Sequence, residues 1–416
     1  MKKTLLSIIQ LLIVLTGISQ TKNNQALKII TPAAYRTETY LPLLKNKRVG
    51  IFANHTATIG NTHLVDSLKK LGVKLVIAFA PEHGFRGKAD AGETINNYID
   101  STSGIPVISL YGKKSRPSAA DLKEVDVLLF DIQDVGVRFF TYISSLQDFI
   151  EAAIENNKPL IILDRPNPNG FFVDGPVLDT AYKSFVGMQP IPIVYGMTIG
   201  EYANMLIGEK WLSEQANKKS KSSHSNEKGF SLTVIKCANY THNAKYMLPI
   251  KPSPNLPDMS SIYWYGSNCF FEGTTLSEGR GTDHPFAIIG SPKLPSSLYA
   301  FTPTSRSGAT DPKLKGQLCY GWNLSGTQES VLKQIDNKIQ IKWLIKAYQL
   351  YPDKEHFFLQ SKSLKPTDYY FNKLAGNGSL KKQIIEGKTE SEIKQTWKEE
   401  LDKYLSRRKQ YLIYKD

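Results

Sequence analysis

From about residue 46 the chain alternates short apolar runs with amphipathic stretches. Residues 48–53 and 73–80 are nearly continuous apolar runs, as are 105–111, 125–130 and 160–163. Each is short enough for a strand and too uniformly apolar to expose one face to water. Between them, residues 62–71 place Leu64, Leu68 and Leu71 on one face of a helix, and residues 142–155 do the same with Ile143, Leu146, Ile150 and Ile154. A short helix is predicted around 121–124. A further strand is predicted at 232–237, after a polar Ser/Lys-rich stretch, 218–229, that reads as a surface loop. Buried strands separated by helices predict an α/β fold, with a doubly wound, mostly parallel sheet covered on both faces.

The texture changes after residue 246. Pro249, Pro252, Pro254 and Pro257 precede a cluster of Gly266, Gly273, Gly279 and Gly281, and the chain there reads as the irregular start of a second subdomain. Tyr263, Trp264 and Tyr265 read as strand core. Near the end, Thr389 and Glu392 have the spacing of a capping box. Ile393, Trp397, Leu401 and Tyr404 follow as a helical stripe, and 411–414 reads as a closing strand.

The first residues read differently. Lys2 and Lys3 precede an apolar run at 5–15, and Gly17 and Ser19 supply the small residues that a signal peptidase reads. The expectation is a secretory leader over 1–19, an exported protein and no transmembrane segment in the mature chain, because the apolar run is too short to span a bilayer comfortably. Composition is ordinary for a globular protein, at 41% hydrophobic and 22% charged. Three cysteines, Cys237, Cys269 and Cys319, fit no metal spacing and read as buried thiols. The formal charge of +14 favours anionic partners. The lysines are scattered, however, and no nucleic-acid-binding motif accompanies them. An exported basic protein more readily meets anionic envelope material.

In an open parallel sheet, ligands bind beyond the carboxyl ends of the strands. The first predicted strand is followed by Asn54-His55-Thr56 and the second by Pro81-Glu82-His83-Gly84-Phe85-Arg86-Gly87. The fourth is followed by Asp131, Gln133, Asp134 and Arg138, and the fifth by Asp164-Arg165-Pro166-Asn167. Four polar strand ends should meet on one rim. Glu82 and His83 are the sharpest pair. A carboxyl on a glycine turn directly after a buried strand is partly removed from water, which suits it to general-acid work. The stretch 271–285 adds Glu272, Glu278, Arg280, Asp283 and His284. An arginine there can grip a ligand carboxylate at two points. No G-x-G-x-x-G, complete Walker A, G-x-S-x-G or H-E-x-x-H sequence occurs, so no cofactor is called for.

Together these blocks, with Glu272-Gly273-Thr274 through Glu278-Gly279-Arg280-Gly281-Thr282, resemble the NamZ-type exo-β-N-acetylmuramidases from about residue 30 to Tyr414. The resemblance implies a Rossmann-like domain without a nucleotide over 27–245. It also implies a smaller α+β auxiliary domain over 246–416, with the site in the cleft between the two. It implies hydrolysis of a terminal β-1,4-linked N-acetylmuramic acid from peptidoglycan fragments. Glu82 carries over as the principal catalytic residue, with His83 and Glu278 beside it. Asn54, His55, Arg86, Asp131, Gln133, Asp134, Arg138, Asn167, Glu272 and Arg280 are the expected substrate contacts. No metal is expected. Glycosidases pair two carboxyls across the scissile bond, and Asp131, Asp134, Glu272 and Glu278 are the available partners for Glu82. Arg280 or Arg138 would hold the lactyl carboxylate of muramic acid. Two other readings stay open: a metal hydrolase built from His55, Glu82, His83, Asp131 and His284, and a muropeptide-binding protein without turnover.

Overall fold

The computed structural model describes residues 29–87, 96–222 and 229–416. The expected leader therefore lies outside the described residues, as does the middle of the polar stretch at 218–229. Among the described residues twelve strands follow one another. They are β1 (Arg48–Ala53), β2 (Thr58–Ile59), β3 (Thr62–His63), β4 (Lys74–Ala80), β5 (Tyr98–Ile99), β6 (Pro106–Ser109), β7 (Val127–Asp131), β8 (Leu160–Leu163), β9 (Leu232–Ile235), β10 (Ile288–Ser291), β11 (Tyr299–Phe301) and β12 (Cys319–Asn323).

Seven of them form the main sheet in the order β5-β6-β4-β1-β7-β8-β9. Every pairing is parallel except that of the edge strand β5. The period of two along β1 explains why both faces are dry. Val49, Ile51 and Ala53 join one core with Leu64, Leu68 and Leu129, while Phe52 joins the other with Phe79, Phe130 and Phe149. Phe52 stacks on Phe130 with ring centroids 4.9 Å apart, and Phe149 from the helix Tyr142–Glu155 closes on both. This is the expected α/β class.

The second core runs on without a break into the C-terminal half and takes in Trp264, Phe270, Phe371 and Trp397. That half holds the antiparallel sheet β10-β12-β11 and a series of short helices. The helix Lys398–Arg408 returns to the first half, where Tyr404 Oη donates to the Tyr195 carbonyl at 2.7 Å and Arg408 donates to Gly196.

Several local expectations change. Tyr263, Trp264 and Tyr265 lie in a helix, Met259–Asn268, because Asp258 caps it by accepting from Ser261 N at 2.8 Å. Residues 121–124 form turns rather than a helix. The end of the chain at 411–414 is an irregular tail held by side chains, not a strand. The helix Glu214–Ser222 runs into the polar stretch that reads as loop. The Thr389–Glu392 capping box forms, but the stripe after it breaks into two helices, Glu390–Gln395 and Lys398–Arg408. All three cysteines are free and buried, and burial pushes their thiols upward. Among the described residues no helix is long and apolar enough to cross a membrane.

Candidate active site

At the carboxyl end of β4 the chain makes two tight turns, Gly84 N to Pro81 O and Gly87 N to Gly84 O. His83 takes a left-handed conformation, with φ of 67°, which L-residues other than glycine seldom adopt. Two imidazoles then clasp the proline-rich segment. His83 Nε2 lies 3.3 Å from Ser253 Oγ, and His55 Nε2 lies 2.9 Å from the Lys251 carbonyl. Burial draws the His55 imidazole below its ordinary range. A side chain at Gly87 would strike the His55 ring at 2.4 Å, so glycine is required there for the ring to lie flat on the turn.

Glu82 is half-buried and opens into a cavity of about 200 Å³. Clefts that enclose a drug-sized molecule run to roughly 300–1,000 Å³, so this one suits a single terminal unit. Its walls are Glu82, His83, Tyr111, Phe139, Phe140, Thr141, Tyr142, Phe185, Val186, Ser253, Asn255, Tyr265, Glu272, Arg280 and Tyr370. Aromatic faces thus oppose a small set of charged groups, as sugar rings require. The Tyr111 hydroxyl bonds Glu82, and burial together with that carboxylate pushes the phenol up to about 12. Burial also raises the Tyr142 phenol, and the Glu82 charge adds to it. Asn54 braces Tyr142 from below through a 2.8 Å bond to its hydroxyl, while its own Oδ1 accepts from Thr56 N and Oγ1.

The second half contributes Glu272, from the single-turn segment Cys269–Gly273. Arg280 Nη2 reaches it at 2.8 Å and Tyr370 Oη donates to it at 3.0 Å. Burial opposes the charge on Arg280, but Glu272 and Glu278 more than offset that and drive its proton affinity up. Glu278 lies behind the cavity at 2% exposure. Lys313 Nζ sits 2.8 Å from it and Arg280 3.6 Å.

Of the residues singled out in the sequence, Glu82, His83, Glu272 and Arg280 meet at the cavity. The others are placed elsewhere. Arg86 bridges Asp66 and Asp100. Asp131 gives both carboxylate oxygens to Arg165, with the pair at 0% and 5% exposure. Gln133 donates to the carbonyls of Asp134 and Pro166, and Asn167 to that of Met197. Asp134 accepts from Tyr195 Oη and Gly136 N, and burial pushes its carboxyl up to about 7. Arg138 is fully buried, with its guanidinium on the carbonyls of Pro176, Ile191 and Leu374, so it cannot meet a ligand carboxylate. The two-point lactyl contact expected of Arg280 would compete with Glu272 for Nη2, the nitrogen that reaches that carboxylate. The metal reading does not gather either. Asp131 belongs to Arg165 and His284 to Asp258 at 2.6 Å, and no metal-holding group of His, Cys, Asp or Glu occurs among the described residues.

Tyr111, the Phe139–Phe140 pair and Tyr370 were missed in the sequence. Tyr111 falls just past β6, where the strand-end rule points to it. Phe139 and Phe140 directly follow the Asp131–Arg138 block. Nothing local marks Tyr370, which lies 98 residues from the carboxylate it holds.

Comparison with known proteins agrees with this architecture. The family description "Exo-beta-N-acetylmuramidase NamZ" matches twice, its N-terminal part over residues 49–260 and its C-terminal part over 263–414. The peptidoglycan β-N-acetylmuramidase NamZ of Bacillus subtilis is 38% identical over 395 residues, covering 90% of this chain and 89% of that protein. Two crystal structures of DUF1343 family proteins from Bacteroides fragilis superpose on it. One is 44% identical with a TM-score of 0.81 and the other 27% identical with a TM-score of 0.73. Each alignment covers 93% of this chain and 99% of the other. With both family halves matched in order across the fold just described, the chain belongs to the NamZ exo-β-N-acetylmuramidase family.

Proposed function

We propose that this protein is an exo-acting glycoside hydrolase that releases N-acetylmuramic acid from the non-reducing end of peptidoglycan fragments, and that it works outside the cytoplasm after removal of residues 1–19. One observation carries the reading: a half-buried carboxyl, Glu82, stands beside Tyr111 in a cavity the size of one sugar, on the polar rim of a parallel sheet. Family membership supplies the substrate class. The leader-like composition of the first residues supports export.

In this reading Glu82 protonates the glycosidic oxygen as the C1–O bond breaks. The aromatic walls seat the sugar ring and keep bulk water from the reacting bond. Tyr142, fixed by Asn54, holds the floor beneath the acid.

The test is a defined MurNAc-GlcNAc disaccharide. The wild-type protein should release free N-acetylmuramic acid and leave longer chains shortened by one unit. Glu82→Gln should lose at least about a hundredfold in kcat while still binding. A protein that binds the disaccharide and never cleaves it would turn the assignment toward a muropeptide receptor. Activity abolished by a strong chelator and restored by a divalent ion would favour the metal hydrolase.

A further inference from the structure

We infer that Glu272 is the second catalytic carboxylate, working opposite Glu82, and that Arg280 and Tyr370 are the residues that position it. This rests on the glycosidase reading above and specifies its site. The other acidic candidates are each engaged elsewhere. Asp131 is spent on Arg165, and Asp134 is sealed behind Tyr195. Glu278 lies at 2% exposure between Lys313 and Arg280. Among the described residues, Glu272 is the acidic group that shares the cavity wall with Glu82.

The two carboxyls also reach the cavity from different halves of the chain. Glu82 comes from the rim of the parallel sheet and Glu272 from the segment that follows the helix Met259–Asn268. The hydroxyl of Tyr111 bonds Glu82. Glu272 has one oxygen on the Arg280 guanidinium and the other on the Tyr370 hydroxyl, so its direction is fixed before a substrate arrives. Glu278, itself paired with Lys313, holds Arg280 from behind in turn.

The fixed direction of Glu272 assigns the work. The C1–O bond breaks with its electron pair passing to the leaving oxygen, which takes the proton of Glu82. Positive charge develops on C1 and the ring oxygen, and the fixed Glu272 carboxylate faces it. Water then adds to C1 and its proton returns to Glu82. A pre-oriented anion stabilises that charge without reorganising, which is the larger part of what such a site can contribute.

Leaving-group dependence separates the two carboxyls. Wild type, Glu82→Gln, Glu272→Gln and Tyr370→Phe would be assayed on MurNAc-GlcNAc and on an aryl muramide with a nitrophenyl leaving group. Glu82→Gln should regain most of its rate on the aryl substrate, which scarcely needs a proton. Glu272→Gln should stay down by about a hundredfold or more on both, because the charge at C1 arises whatever leaves. Tyr370→Phe removes one donor at a part-exposed site, so it should fold normally. It should lower kcat about tenfold on both substrates with KM little changed. Recovery of Glu272→Gln on the aryl substrate, or near wild-type rates in either Glu272→Gln or Tyr370→Phe, would overturn the assignment. If Glu272→Gln does not fold, the Tyr370→Phe kcat decides. A wild-type protein that cleaves neither substrate would instead refute the glycosidase reading itself.

Discussion

The hydroxyl of Tyr414 donates to Asp164 Oδ2 at 2.7 Å and so ties the end of the chain to the carboxyl end of β8. The same hydroxyl accepts from Cys237 N at 2.8 Å, and Asp164 also accepts from Gly200 N at 2.9 Å. Asp164 is fully buried, and that burial pushes its carboxyl up to about 6. Tyr414→Phe would leave a buried acceptor and a main-chain donor short of partners. It should cost about 1–3 kcal/mol of stability. Urea unfolding at neutral pH measures this, and turnover on the disaccharide should change little, since the cavity lies elsewhere.

Asp134 gives the protein a characteristic pH response. Burial raises its carboxyl to about 7, against roughly 3.9 in an unfolded chain. The folded state therefore holds this proton more tightly than the unfolded state. Its contribution is fully present below about pH 4 and is lost as pH rises toward 7. The limiting slope is about 1.4 kcal/mol per pH unit. Asp134→Asn keeps an acceptor for Tyr195 and removes the titration. The difference in unfolding midpoint between wild type and this variant should grow in favour of the variant from pH 5 to pH 8. Parallel pH profiles for the two proteins would refute the origin assigned here.

The sheet was legible because burial on both faces writes itself into unbroken apolar runs, and the helix Tyr142–Glu155 is where its apolar period places it. The rim was legible for the same reason, since polar groups crowd where those runs stop. What the runs do not carry is which rim groups satisfy one another. Asp131 finds Arg165 34 residues away, and Arg138 is consumed by carbonyls as distant as Leu374. A charged residue that faces inward and one that faces a ligand look alike along the chain. Glu278 shows the same limit, for its spacing from Glu272 does not reveal that Lys313 covers it. The aromatic triplet at 263–265 was misread because strand preference is weak beside a good cap, and Asp258 supplies that cap.

The Asp131–Arg165 pair should behave as structure rather than as a substrate contact. Both groups are buried, and Arg165 also donates to the Thr58 carbonyl at 3.3 Å. Removing one partner leaves a buried charge unpaired, at about 3–5 kcal/mol. Asp131→Ala should therefore lower the unfolding midpoint sharply. In the fraction that remains folded, KM for the disaccharide should stay within a few-fold of wild type. A stable Asp131→Ala protein with a large rise in KM would restore Asp131 as a ligand contact.

His83 offers the most direct check on whether the turn after β4 was shaped for chemistry. Its φ of 67° disfavours any residue with a Cβ, by roughly 1–2 kcal/mol relative to glycine. A strained backbone of this kind persists where neighbours hold it, and here the Ser253 hydroxyl lies 3.3 Å from Nε2. Two substitutions separate the terms. His83→Ala keeps the unfavourable φ of the wild type and loses the imidazole contact, so it should be destabilised by the lost contact alone. His83→Gly loses the same contact but relieves the strain, so it should be more stable than the alanine variant by about 1–2 kcal/mol. Both variants should lose turnover together, because the imidazole lines the cavity beside Glu82 and keeps Ser253 in place. The measurements are urea midpoints and kcat on the disaccharide. Equal stability of the two variants would mean that the turn relaxes freely and stores no strain. Full activity in His83→Gly would mean that the strain serves the path of the chain, and that the imidazole takes no part in the reaction.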